Sequence, residues 1–250
     1  MDVERPLSSK PTPGARLRAA WALTSFGIAQ IAICAIAAFP LVMAWVLLLQ
    51  LPLGDGLVRA SVLSLAIPLS YAVFAMVLMA VSALVTGALG WRTPPDAALR
   101  IAELDWPALD WFRNVSSIRV VNALAGVLYC GSPIWTAYLR MNGARIGRRV
   151  YINSLSVSDH NLLDFGDDVI IGADVHLSGH TVEGGFVKTG YVRLGRGVTI
   201  GLGSIVNIDV QAGDYCQVGA LSLVPKHSRL EAGTLYVGVP VRHVSKEPKG

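Results

Sequence analysis

Charge is what this sequence has least of. Asp, Glu, Lys and Arg make up only 15% of its 250 residues, against 53% hydrophobic residues. A soluble domain carries about 25% charged residues, so an apolar excess must be concentrated somewhere. It lies in the first hundred positions: Ala19 to Leu51 has no charged side chain over 33 residues, and Ala60 to Trp91 has none over 32. Cysteine is also scarce. Three cysteines at 34, 130 and 216 exclude a disulfide framework and a paired-Cys zinc motif, and predict free thiols and a cytosolic soluble part. No phosphate-binding Gly-x4-Gly-Lys-Ser/Thr loop is present, which removes the commonest nucleotide-binding signature. A net charge of +4 with no aromatic-interleaved basic stripe argues against nucleic acid as a partner.

What is abundant is a period of six. From Val192 to Pro225 an aliphatic position recurs at Leu194, Ile200, Val206, Ala212, Val218 and Val224, each followed by Gly, Asn or Pro. Two places earlier, Val192, Val198, Ser204, Val210, Cys216 and Ser222 supply a second inward face. The same phase runs backwards through Ile146, Ile152, Phe165, Ile171 and Leu177. A fixed short period means a solenoid, and six is the period of a hexapeptide β-helix. The Gly or Asn after each aliphatic residue is expected at a corner that needs positive φ. The period slips between Asn153 and Phe165 and again between Leu177 and Leu194. Each slip predicts a loop pushed out of the coil.

These residues resemble the left-handed β-helix acyltransferases, in which three sixes make one triangular coil. The ending Gly219-Ala-Leu-Ser-Leu-Val-Pro-Lys226, then Gly233 and Val237-Gly-Val-Pro240, is similar to that family's last coil. The stretch Leu139 to Ile152, followed by Asp164-Phe-Gly-Asp167 and Leu177-Ser-Gly-His180, more narrowly resembles the carboxy-terminal membrane units of poly-amino-acid synthetases of the ε-poly-L-lysine type. The resemblance covers Trp106 to the end in detail and the helices before it only in layout. It implies a thioester-dependent acyltransferase working from acyl-CoA or a phosphopantetheinyl carrier protein, with no metal, a homotrimeric assembly, and a carrier protein or adenylation enzyme as a possible partner. In that family a histidine opening an extruded loop is the general base, and His180 is the matching position. Imidazole suits the task because it titrates near neutral pH. Glu183 or Asp159 can orient its ring. His160, in the first slip, is a further catalytic candidate. Gly201, Gly219 and Ala220 are candidates to line a groove for the pantetheine arm, their small size permitting close approach. Lys226 and Arg242 are candidates to meet its phosphates.

The apolar runs predict a membrane α-helical hairpin joined to an all-β solenoid. A flexible cytosolic tail (1–18) precedes two transmembrane helices (19–91), with Trp21, Trp45 and Trp91 suited to the interface belt. An interfacial or re-entrant helical region (92–140) follows, then the left-handed parallel β-helix (141–240) and a short C-terminal tail (241–250). Arg5, Lys10, Arg16 and Arg18 before the hairpin, and Arg92 and Arg100 after it, outnumber the lone Arg59 between the helices. Both ends then face the cytosol, as in a multi-pass protein of a bacterial-type inner (plasma) membrane. Val120 to Leu139 is uncharged and long enough to span, but Asn122, Gly126, Gly131 and Pro133 interrupt it, so it is expected to lie at the interface. Two other functional classes remain open. One is a zinc hydrolyase of the γ-carbonic-anhydrase type using His160, His176 and His180; the other is a non-catalytic membrane scaffold.

Overall fold

The computed structural model describes residues 12–244. The expected tails therefore lie outside the described residues over 1–11 and 245–250. The first helix, α1 (Pro13–Gln50), begins inside the expected tail. Thr12 caps it by accepting from the Ala15 N–H at 3.2 Å, and Pro13 takes the first helical position, where its missing N–H costs nothing. After the Gly54 turn, Asp55 caps α2 (Gly56–Ala88) in the same way. Both helices are long and apolar enough to cross a membrane. Large apolar side chains such as Ile28, Ile31, Phe39, Leu65 and Leu69 stay exposed along them.

Residues 98–103 form a short strand, Ala98–Arg100, and a 3-10 turn before α3 (Trp106–Val121). Helix α3 passes through a π-helical turn at Asn122–Gly126 into α4 (Val127–Tyr129). The chain then reverses at Gly131, which has positive φ, and re-enters as α5 (Pro133–Met141). Val120 to Leu139 is thus two helical pieces and not one span. The pieces are tied to α2: Tyr129 donates to the Ala72 carbonyl at 2.7 Å, and Tyr71 to the Leu124 carbonyl at 3.0 Å. A buried arginine fastens α3 to α1. Arg113 donates to Ser25 Oγ at 2.7 Å and to the Ala22 carbonyl at 3.3 Å, and pairs with Asp110 at 2.8 Å. Its guanidinium lies 5.3 Å from the ring centre of Trp91. Trp91 is therefore buried under a cation and not free for an interface belt.

From Arg145 onward the chain winds into stacked parallel ladders. Ile146, Phe165, Leu194, Ala212 and Leu230 stack along one side. Ile152, Ile171, Ile200, Val218 and Tyr236 stack along a second. Val157, Leu177, Val206 and Val224 stack along a third. Successive partners in the later coils are 18 residues apart, which is three sixes per turn. The aliphatic residues and those two places before them are buried throughout, from Val192 to Val224, as the period demands. Arg242–His243 closes the end by pairing antiparallel with Tyr236–Val237.

The corner glycines have a different job from the one expected. Positive φ falls two residues later, at Arg149, Asp168, Asp174, Gly197, Gly203, Asp209, Tyr215, Leu221 and His227. The corner glycines are required by space. A Cβ on Gly195 would come within 2.4 Å of Asp214 Oδ1, and one on Gly201 within 2.5 Å of the Ala220 nitrogen of the next coil. The two period slips also differ. The first adds a single residue per coil, absorbed by the 3-10 turn His160–Leu162, so no loop leaves the coil there. The second produces an extruded hairpin, His180–Glu183 paired with Phe186–Thr189. Its turn is Gly184-Gly185, both with positive φ, which matches the twist of a two-residue hairpin.

Candidate active site

The hairpin starts where the third side of the coil ends, at Leu177-Ser178-Gly179-His180. It is not free in solution: Leu99 pairs with Val187, so the strand after the helical hairpin adds a third strand to it. His180 is thereby held between the coil and α3. Its imidazole meets the Trp111 ring edge-on, with centroids 5.0 Å apart and planes at 71°, and its side chain keeps 18% of its surface open.

His180 Nδ1 lies 2.6 Å from Asp159 Oδ2. Asp159 is wholly buried, and an isolated carboxylate there would be costly. It is surrounded by donors. Oδ2 also accepts from Ser158 Oγ at 2.9 Å, from the Gly179 N–H at 3.1 Å and from Ser178 Oγ at 3.4 Å, while Oδ1 accepts from Thr93 Oγ at 2.7 Å. Burial alone would raise the Asp159 carboxyl, but the hydrogen bond and charge of His180, with the Thr93 and Ser158 hydroxyls, outweigh it and hold the group below the usual carboxylate value. Gly179 must lack a side chain because a Cβ would sit 2.9 Å from Asp159 Cβ. The His180 ring is thus fixed by an ionised carboxylate on Nδ1. Nε2 makes no hydrogen bond among the described residues. An imidazole held in this way can take a proton at Nε2 and have the resulting charge stabilised at Nδ1.

Part of this shell comes from the helical half of the chain. Asn161 clamps the Thr93 peptide, accepting from its N–H at 3.3 Å and donating to its carbonyl at 2.8 Å. Asn114 of α3 donates to Thr93 Oγ at 3.3 Å, one helical turn from Trp111. Thr93, Trp111 and Asn114 were not legible as site residues. Nothing in a lone Thr before two prolines, or in an α3 Trp and Asn, marks a contact with a residue some 70 positions away.

The other sequence candidates fall elsewhere. Glu183 does not orient His180. Three residues along one strand place the two side chains on opposite faces, and the Glu183 carboxylate is paired with Lys226 and with Lys188. Lys226 is accordingly an ion-pair partner that ties the hairpin to the last coil. Arg242 lies exposed on the closing strand. Gly201 and Gly219 give their N–H groups to the Val218 and Tyr236 carbonyls of the following coil, and their small size admits that coil. Ala220 is exposed beside them. His160 is sealed in the core at 1% exposure, its Nε2 3.2 Å from the Val157 carbonyl and its ring edge-on to Tyr138. Burial lowers its pKa to about 4, so it stays neutral and reaches no substrate. That removes one ligand of the three-histidine zinc reading. Among the described residues no three His, Cys, Asp or Glu side chains converge on a metal position. His176 points out of the third side, and burial followed by the nearness of His180 lowers its pKa.

No protein-family profile matches the chain. Over 110 residues it is 26% identical to a delta-poly-L-ornithine synthetase of Acinetobacter baumannii (strain AB307-0294), a stretch covering 44% of this chain and 8% of that protein. Over 118 residues it is 32% identical to the galactoside O-acetyltransferase of Escherichia coli (strain K12), covering 44% of this chain and 56% of that one. Among solved structures, a hexapeptide-repeat acetyltransferase of Vibrio cholerae O1 biovar eltor, complexed with acetyl coenzyme A, aligns at 18% identity and a TM-score of 0.44 over 59% of this chain and 94% of that one. The chain spans less than two thirds of the length of either curated relative. The resemblance first read from the sixes and from the stretch leading to His180 is therefore found in named relatives of both kinds, and the chain is similar to the hexapeptide-repeat acyltransferases.

Proposed function

We propose that this protein is a membrane-bound acyltransferase with a left-handed β-helix on the cytosolic face of a bacterial-type inner membrane. It moves an acyl or aminoacyl group from a CoA or carrier-protein thioester onto an amine or hydroxyl. The similarity to a poly-ornithine synthetase favours an amine acceptor and amide formation. The observation that carries the reading is the His180–Asp159 pair: a partly open imidazole at the root of the extruded hairpin, held by a buried carboxylate at 2.6 Å. In the reaction His180 Nε2 takes the acceptor's proton as its nitrogen or oxygen attacks the thioester carbonyl. The C–S bond then breaks and the proton passes to the departing sulfur. Asp159 stays ionised and stabilises the imidazolium between the two transfers. In this reading the donor lies in a groove between neighbouring copies, and a homotrimer completes the site. Two apolar helices whose side chains remain exposed support membrane attachment.

Purified protein incubated with acetyl-CoA, or with an aminoacyl-loaded carrier, should release free thiol only when an amine or alcohol is present. His180→Ala should lower that rate by about two to four orders of magnitude. Unchanged turnover in the variant would remove His180 as the base. Failure of both donors with every acceptor would leave the scaffold reading.

A further inference from the structure

Against Trp111, whose ring meets His180, lies a cavity of about 220 Å³. Its walls are Ala22 and Leu23 of α1, Ala108, Trp111 and Phe112 of α3, and Val187 of the hairpin, with other aliphatic residues between them. No charged or hydroxyl side chain lines it. An apolar cavity of roughly 150 Å³ already admits a benzene ring, so this open-edged one is large enough for a hydrocarbon ligand. Leu23, Ile101 and Phe112 at its edge are 57%, 41% and 40% exposed. They continue into the exposed apolar flank of α1 at Trp21 and Ile28. Trp111 is common to the cavity and the site. One indole lines the cavity and also touches the His180 ring. Its Nε1–H is buried with no hydrogen-bond partner among the described residues, and a buried free donor in a folded protein calls for a partner.

We infer that the acceptor substrate is an amphiphile: its nucleophilic amine or hydroxyl lies at His180 and its alkyl chain lies in this cavity, entered from the bilayer side of α1. This rests on the acyltransferase reading and names the class of its acceptor. The acceptor chain is favoured over the donor's because the cavity opens along the apolar helix, whereas a thioester on CoA arrives from water along the coil. For an alkylamine the balance is simple. The N–C bond forms as the thioester C–S bond breaks, and one N–H proton passes through His180 to the sulfur. The products are an N-alkyl amide and a free thiol, with nothing oxidised or reduced.

The test uses the full chain in phosphatidylcholine nanodiscs, with acetyl-CoA and straight-chain amines from ethylamine to decylamine. Relative kcat/KM should rise about fourfold per methylene until the cavity is filled, the factor expected for burying one CH₂. Ala108→Leu, which fills the cavity, should flatten that slope to under twofold. Independently of turnover, a decylamine carrying a terminal diazirine should label wild-type peptides spanning 19–23 and 101–112, and unlabelled decylamine should compete. Transfer at equal rates across the series, without labelling there, overturns the inference and leaves acyl transfer standing. A chain-length dependence on the acyl-CoA in place of the amine also overturns it. Labelling with no transfer to any amine overturns the acceptor assignment together with the acyltransferase reading.

Discussion

Replacing Asp159 with Asn keeps the shape of the site and removes its charge. In the transition state His180 is protonated, and the carboxylate 2.6 Å from Nδ1 faces a full positive charge. Two unit charges about 4 Å apart attract by about 4 kcal/mol at an effective dielectric near 20. Each 1.36 kcal/mol is tenfold in rate, so kcat should fall by about 10³. A second effect acts in the same direction. Both oxygens of Asp159 only accept, from His180, Thr93, Ser158 and Gly179. An amide must aim its NH₂ at one of these donors, and rotating it moves the conflict without removing it. Thiol release would be followed at saturating thioester and acceptor, beside a thermal melt in the same detergent to show that the variant is folded. A folded Asp159→Asn protein that turns over within tenfold of wild type would refute the carboxylate's role, and with it the reason for placing the base at His180.

Two further tests address what holds the site. Gly201→Ala should destabilise the coil by about 1–3 kcal/mol, because its Cβ would meet the next coil's backbone at 2.5 Å. Leu221→Gly, at φ 55° and exposed, should cost nothing or stabilise, since left-handed backbone is unfavourable for Leu; equal losses in the two variants would contradict the assignment of space to the corner and φ to the position two residues on. Stability should also fall in two separate pH windows. The His160 pKa is lowered in the fold to about 4, so the unfolded chain binds more protons between about pH 6.5 and 4, and folding loses on the order of 3 kcal/mol as pH drops through that range. Asp159 is held below its ordinary value, so its contribution is complete above about pH 4 and is lost only below it. His160→Leu should shrink the upper window, leaving the share of His176, whose pKa is also lowered, and should leave the lower one intact; an unchanged wild-type slope in that variant's denaturant midpoints would show that His160 is not the group that titrates.

The stacked parallel ladders could be read from sequence because each of their elements repeats the same physical demand every six residues. Inward aliphatics are set by burial, and corner glycines by contact with the next coil. The cause assigned to those glycines was wrong, yet the pattern located them correctly, since steric exclusion and positive φ both leave glycine as their mark. The short strand Ala98–Arg100 carries no such mark. Its three residues gain their conformation only from pairing with the hairpin, and strand preference is decided by such neighbours. His160 was misplaced because a one-residue slip and an eleven-residue slip look alike as breaks in phase. Only the second is long enough to leave the coil.

The choice between Asp159 and Glu183 turns on the same distinction between local and distant information. Glu183 is near His180 in sequence, but strand alternation sends it to the other face, where two lysines take it. Asp159 reaches the ring because the coil stacks its turn directly beneath Gly179. Once buried there, it needs donors that the coil alone does not supply in full. One comes from Thr93, which Asn114 and Asn161 hold in place from α3 and from the coil. The helical half of the chain therefore completes the charge environment of the site as well as offering apolar surface. Loosening Thr93 should disturb the His180–Asp159 pair even though Thr93 is itself buried and makes no hydrogen bond to His180 among the described residues. That coupling is a physical reason for the apolar helices and the coil to occur in one chain.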